Sequence, residues 1–284
     1  EYDGSTNTQD PSLFTISGSQ ASFKSENKGN TFSKFTKAKN GSVFNIGGSR
    51  YADNNELHLN SDTFDSNASS EKGGAIAYMG YQNVVSDHNI LEVVATSFIN
   101  NSSVNGGAIY SQYAYDVEIK STVDGNSSFS GNEASDNGGA IYNRGSKTFN
   151  ITGYNNDETG EINKVIFKNN TAANNGGAIY NIETDLEISD AEFTSNTATN
   201  GEGGAIYNGK NGTITRTDFT GNKSGSDGGA IYNNSTSLTL NDVNFFSNTS
   251  DTLGGAIYNE NATLTITGGT FNGNKAGSGG AIYD

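Results

Sequence analysis

The chain has 284 residues with 37 glycines, one proline, no cysteine or tryptophan, and a net charge of −15. Only 32% of its residues are hydrophobic, against ~45–50% in ordinary globular domains on a count that includes Gly, so a thick near-spherical core is excluded. The single proline and the lack of a G-X-Y period exclude collagen, the lack of an apolar run of about 18 residues excludes a membrane-spanning helix, and 14 Tyr with 15 Phe are too many aromatics for a solvated tail.

Residues 1–63 read as an N-terminal cap followed by degenerate coils. The chain opens at Glu1 without a Met or a basic-then-apolar leader, so a removed leader or a longer parent protein is expected. Residues 1–12 are expected to cover an otherwise open strand edge. Ser12-Leu13-Phe14-Thr15-Ile16 resembles the L-T-I strands met later, and Asn40-Gly41-Ser42-Val43-Phe44-Asn45 sits where later repeats carry G-G-A-I-Y-N.

From Phe64 onward two motifs alternate strictly. F-x-x-N begins at Phe64, Phe98, Phe129, Phe167, Phe193, Phe219, Phe245 and Phe271; G-G-A-I begins at Gly73, Gly106, Gly138, Gly176, Gly203, Gly228, Gly254 and Gly279. Each Phe precedes the next G-G by 8–10 residues, so that stretch is a fixed unit. From G-G to the next Phe the distance is 25, 23 and 29 residues in the first three repeats and 16–17 in the last four. Residues 64–175 are therefore coils with loop insertions, and 176–284 are minimal coils of about 25 residues within one continuous solenoid. The sequence stops in mid-coil, and further coils are expected beyond Asp284.

A minimal repeat holds three short β-like stretches, such as Ala256–Asn259, Leu264–Thr267 and Thr270–Asn272. Alternation in L-T-I is a half-buried strand pattern, and the intervening Asn, Gly, Ser and Asp suit tight turns. The fold class is thus all-β: a parallel β-helix with three short strands per coil and about nine to ten coils. Stacking coils at about 4.8 Å puts equivalent side chains above one another. Ile109, Ile141, Ile179, Ile206, Ile231, Ile257 and Ile282 should form one inward ladder; Phe98, Phe129, Phe167, Phe193, Phe219, Phe245 and Phe271 a second; Leu238/Leu240 and Leu264/Ile266 a third. Period-2 alternation turns Tyr110, Tyr142, Tyr180, Tyr207, Tyr232, Tyr258 and Tyr283 outward, and Asn143, Asn181, Asn208, Asn233 and Asn259 back inside as an amide ladder.

The alternating motifs on a Gly/Asn/Ser-rich background resemble the passenger region of the polymorphic outer membrane proteins, autotransporter adhesins best known from chlamydiae. The resemblance covers Phe64 to Asp284 through sixteen motif copies. It implies a right-handed helix on the bacterial cell surface, exported through and anchored by a C-terminal outer-membrane barrel outside these residues. It also implies adhesion to a host-cell surface protein or glycan, with self-association as a further option. The family associates adhesion with the two motifs, which here begin with Phe98 and Asn101 and with Gly106, Gly107, Ala108 and Ile109.

Catalysis is not expected. There is no Asp-Asp pair, no acidic cluster recurring at one coil position, and arginine is confined to Arg50, Arg144 and Arg216. His58 and His88 read as lone surface residues. No cofactor and no specific metal site is expected: cysteine ligands are absent and the G-G-x-G-x-D calcium repeat is missing, which leaves calcium only the Asp/Asn turns as an option. Nucleic acid is a poor partner for so acidic a chain, and zero cysteine suits export through an oxidising compartment. Alternatives are a stalk presenting another module and a polysaccharide-processing β-helix; outward Thr239 and Thr265 also admit an ice- or polymer-binding face. The insertions, read as residues 79–97, 111–128 and 143–166, follow Tyr78, Tyr110 and Tyr142 and should project from one edge of the rod. Their Tyr81, Tyr113, Tyr115 and Tyr154 are the candidate contact residues, because loop tyrosines supply contact area at low entropic cost.

Overall fold

A computed structural model describes residues 2–3, 12–17, 21–25, 29–47, 55–81, 89–156 and 158–284. Every regular element in them is a β-strand. Three long sheets of ten, ten and nine strands run the length of the chain, and within each the neighbours come from successive coils. The coil-to-coil pairings are parallel and hold the register of the repeats, as in Phe193 with Phe219 and Ile206 with Ile231. This is a parallel β-helix. We name its faces by what they carry inward: the Phe sheet, the Ile sheet, and an aliphatic sheet that includes Leu238 and Leu240.

The core is the thin prism that the composition demands. Phe64, Phe98, Phe129, Phe167, Phe193, Phe219 and Phe245 are fully buried, with consecutive rings 4.7–5.0 Å apart and within 8° of parallel. Ile109, Ile141, Ile179, Ile206, Ile231 and Ile257 are equally enclosed. Each such side chain contributes roughly 1.5–3 kcal/mol of burial, and each ring pair about 0.5–1.5 kcal/mol more. Ile282 and Phe271, in the last coil, are only partly covered.

Both glycines of G-G are required by geometry. The first adopts a left-handed φ of +57° to +68° in all eight copies. At the second, in every copy but Gly280 at the chain's last coil, an added methyl would meet a carbonyl of the next coil at 2.0–2.1 Å, as at Gly204 against Gly229 O. The residue two after each motif Phe is also left-handed, including Asn100, Asn169, Ser195 and Ser247, and so turns the chain out of the Phe sheet.

The Asn that follows closes this corner. Asn196 donates its backbone N–H and its Nδ2 to Asn222 Oδ1 at 2.9 and 3.0 Å, and Nδ2 also donates to Phe167 O of the preceding coil at 3.0 Å. The same three bonds recur at Asn67, Asn101, Asn132, Asn170, Asn222 and Asn248. The side-chain amide thus replaces a peptide group in the ladder, and the sheet hydrogen bonding continues around a bend. A short fourth ladder of two-residue strands follows, where only a small inward residue fits: Ala134, Ala172, Ala198, Ser224 or Ser250.

On the Ile sheet the expected amide ladder is present, with Asn143, Asn181, Asn208, Asn233 and Asn259 buried and linked Nδ2 to Oδ1 at 2.8–3.1 Å. The tyrosines lie on the opposite face with ring centroids 4.8–5.6 Å apart; Tyr110 and Tyr232 are buried there, Tyr142, Tyr180, Tyr207 and Tyr258 half-buried, and Tyr283 at the end of the stack is exposed.

The early coils depart from the expected alignment. Phe44 pairs with Ile76 and Gly41 has the left-handed φ of a first motif glycine, so Gly41-Ser42-Val43-Phe44 is the G-G-A-I equivalent, one residue later than expected. Phe14–Ser17 pairs with Phe44–Gly47 in the Ile sheet, not in the aliphatic sheet that L-T-I suggested. Of the cover expected over residues 1–12, only Tyr2–Asp3, paired with Phe32–Ser33, and Ser12 fall within the described residues.

Candidate binding surfaces

The three insertions do not share an edge. The first lies between Met79 and Ile90, at the corner joining the Ile and aliphatic sheets; its residues 82–88, and with them His88, lie outside the described residues, as does Arg50. The second, 121–127, and the third, 153–164, lie at the next corner, between the aliphatic and Phe sheets. The distance from G-G to Phe spans both corners, so spacing alone did not separate them.

This redistributes the tyrosines. Tyr113 and Tyr115 stand on an uninserted three-residue corner between Gln112 and Asp116. The Tyr113 ring fills the space over Gly145, where an added methyl would meet it at 2.5 Å. Tyr115 lies under Lys147, whose Nζ is 4.1 Å from the ring centroid and donates to the Tyr115 hydroxyl. Both are therefore packed against the rod. Tyr81, at the same corner, is 36% exposed. Tyr154, on the other corner, accepts a hydrogen bond from Asn156 Nδ2 at 3.2 Å.

The second and third insertions do stack. Residues Tyr154–Asn156 and Glu161–Asn163 form an antiparallel hairpin tied to the loop of the preceding coil by Asn163 Nδ2 to Thr122 O at 2.9 Å and Asn126 Nδ2 to Lys164 O at 2.7 Å. At the base of this double loop, Arg216 donates to both carboxylate oxygens of the buried Asp190, at 2.8 and 2.6 Å. On it sit Val123 and Ile162, 52% and 49% exposed, the two most exposed large hydrophobic residues among those described. The Gly160 turn ahead of Ile162 was the available sequence signal, but the apolar tips were not read from it.

The motif residues to which adhesion was carried over, Phe98, Asn101, Gly106, Gly107, Ala108 and Ile109, are all buried. They shape the coil and offer no side chain to a partner.

The aliphatic sheet has an outer face where two expectations fail. His58 is not alone: its Nδ1 is 2.7 Å from Glu92 and its Nε2 is 3.4 Å from Glu56. Acidic residues do recur at one coil position, since Glu92, Glu118, Asn150 and Glu187 are successive register partners. Lys120 bridges Glu92 and Glu118. Burial disfavours ionised Glu92, but His58 and Lys120 outweigh it and hold the carboxyl below its usual range. A shallow groove of about 290 Å³ continues from there, lined by Glu118, Lys120, Asn150, Glu187, Thr213 and Thr215 among others. No group of three or more His, Asp or Glu side chains is arranged to hold a metal among the described residues.

On the far side, the tyrosine file meets an acidic patch. Tyr232 donates to Glu260 at 2.6 Å. Burial, with Asp227 and Glu260 nearby, raises the Glu202 carboxyl above its usual range.

Seven segments match the Chlamydia polymorphic membrane protein repeat: residues 95–112, 126–144, 164–182, 190–209, 216–234, 242–260 and 268–284. Seven of its coils carry polymorphic membrane protein repeats. Each matched segment runs from the corner before a motif Phe to the end of the following Ile-sheet strand, or to the end of the chain in the last copy, so the family repeat is the Phe–Asn corner plus the G-G turn. The variable second half, which carries the aliphatic sheet and the insertions, falls largely between the matches. No curated protein and no solved structure matches the chain. Polymorphic membrane proteins are outer-membrane surface proteins and generally non-enzymatic.

Proposed function

We propose that the chain is a non-catalytic passenger segment of an autotransporter adhesin, exposed on a bacterial surface, which attaches to a host-cell surface protein through the double loop at 121–127 and 153–164. The observation that carries the reading is the exposure of Val123 and Ile162 on two insertions hydrogen-bonded to each other, on a rod whose repeats belong to a surface-protein family. Apolar anchors rimmed by polar residues are what protein partners cover. Tyr81 supplies a second contact at the neighbouring corner.

Beads coated with the chain should attach to cultured epithelial cells. Val123→Ser with Ile162→Ser should reduce attachment about fivefold or more, since losing an anchor costs about 1–2 kcal/mol, while the melting temperature holds because both side chains are exposed. Tyr81→Ser should give a smaller loss. Attachment unchanged in both variants would favour the other reading, a stalk presenting a different module, which the burial of both motifs also suits.

A further inference from the structure

The outer face of the aliphatic sheet carries two files of polar side chains in strict register. One is Asn150, Glu187, Thr213, Thr239 and Thr265; the other is Thr152, Ser189, Thr215, Asn241 and Thr267. None of the ten is buried, and none of these side chains hydrogen-bonds another protein group among the described residues. The contrast with the inner amide ladders is sharp, because there the same residue type uses its donors and acceptors on its neighbours. Here they are left for something else. The groove beside Glu118 and Lys120 gives the upper end of the files a concave floor.

The geometry points to a binding track for a linear, neutral glycan laid along the helix axis. Equivalent donors and acceptors recur at each coil, about every 4.8 Å, so an extended polymer with its own axial repeat meets the same groups again and again. Hydroxyl and amide side chains match sugar hydroxyls in both directions of donation. The Asn150 amide beside the Glu187 carboxylate offers a donor and a strong acceptor to adjacent hydroxyls. A polyanion is disfavoured by the chain's net charge of −15. A polycation would find only one carboxylate, Glu187, in the ten positions, because Glu118 is already tied to Lys120. A folded protein partner would find no apolar anchor.

The inference rests on the attachment reading for its setting, but its test uses the purified chain. Isothermal titration with linear hexasaccharides of β-1,4-linked glucose and of β-1,4-linked N-acetylglucosamine should give saturable binding of at least one. Thr213→Val, Thr215→Val and Thr239→Val together should weaken that binding at least tenfold, since valine keeps the β-branched shape and removes only the hydroxyl. An unchanged melting temperature separates this from misfolding. A linear hexagalacturonate should bind more weakly than the neutral sugars. No binding of either neutral sugar, equal binding by the triple variant, or tighter binding of the acidic sugar overturns the track. Glycan binding by the purified chain, with beads coated in the same unaltered chain failing to attach to cells, would instead count against the double-loop adhesin alone.

Discussion

In the coils between Gly176 and Asn274 the inward Ile, Phe and Asn positions each repeat one residue type, and the stacked Phe rings lie within 2–13° of parallel. The first two coils fill the same prism differently. Phe35 occupies the corner position of the ladder Asn, donating its N–H to Asn67 Oδ1 at 3.1 Å, and Ile46 and then Tyr78 stand where later coils place the inner Asn. Their core is a cluster of Phe14, Phe23, Phe32 and Phe44 whose rings mostly meet at 47–83°. The difference has a physical cause. A ladder Asn makes its Asn-to-Asn bonds to the coils on both sides, so one departure removes bonds from two rungs. Apolar contact is non-directional and tolerates the irregularity, which is why the departures occur together.

The largest effect should separate these regimes. Asn196→Leu strips acceptors from both the N–H and the Nδ2 of Asn170 and a donor from Phe167 O. At about 1–3 kcal/mol per buried unsatisfied group, a loss of roughly 4 kcal/mol is expected. Asn67→Leu sits at the head of the ladder, below Phe35, and orphans one donor fewer, so it should cost about 1–3 kcal/mol less. Urea unfolding of the two variants measures the gap. Equal losses would mean that the additional Asn-to-Asn bond of the ladder contributes nothing, and the contrast between early and late coils would fail.

The regular half was legible because its information is local: G-G, Ile and Phe recur at fixed separations, and period-2 alternation assigns their faces. What escaped was information that lives between coils. The ladder partner of each F-x-x-N Asn is 26 or more residues away, so F-x-x-N identified a position without its bonds. Ala77 takes the outward Tyr position and Tyr78 turns inward to donate to Asn55 O; a slip of one residue inverts a side chain's face. The binding surfaces were the least legible, since the second half of each coil has no fixed length and its outward residues have no repeating type until Thr213, Thr239 and Thr265.

The tyrosine file sharpens the comparison at high pH. Burial above all, with Tyr142 adjacent, raises the Tyr110 phenol to about 12, and burial likewise raises Tyr142, Tyr180, Tyr207, Tyr232 and Tyr258. A phenol that binds its proton more tightly when folded contributes stability below its unfolded value near ~10, and that contribution is lost as pH rises through the folded value. The early coils carry Asn45 and Ala77 at these positions and lack the term. Melting temperature should therefore hold to about pH 10 and fall steeply above it, with tyrosinate absorbance appearing together with unfolding. Replacing Tyr142, Tyr180 and Tyr207 by Phe should flatten that fall. Ionisation of the file without loss of structure would show that its phenols contribute little.

Acid should act on the two halves with opposite signs, and the effect is the smallest of the set. Glu92 is held below its usual range by partners that outweigh its burial, so its stabilisation is present above the unfolded value near ~4.3 and lost as pH falls through the lower folded one. Glu202 is held above its usual range by burial and by Asp227 and Glu260. Its contribution therefore grows as it takes up a proton, and it opposes folding at neutral pH. Both groups are partly solvated, which keeps each effect under about 1 kcal/mol. At pH 7 Glu92→Gln should lower the urea midpoint and Glu202→Gln should raise it. At pH 4 the two shifts should shrink together, because both carboxyls are then closer to neutral. Shifts of the same sign at pH 7 would mean that the charge network around His58 and the patch around Tyr232 do not differ in electrostatic character.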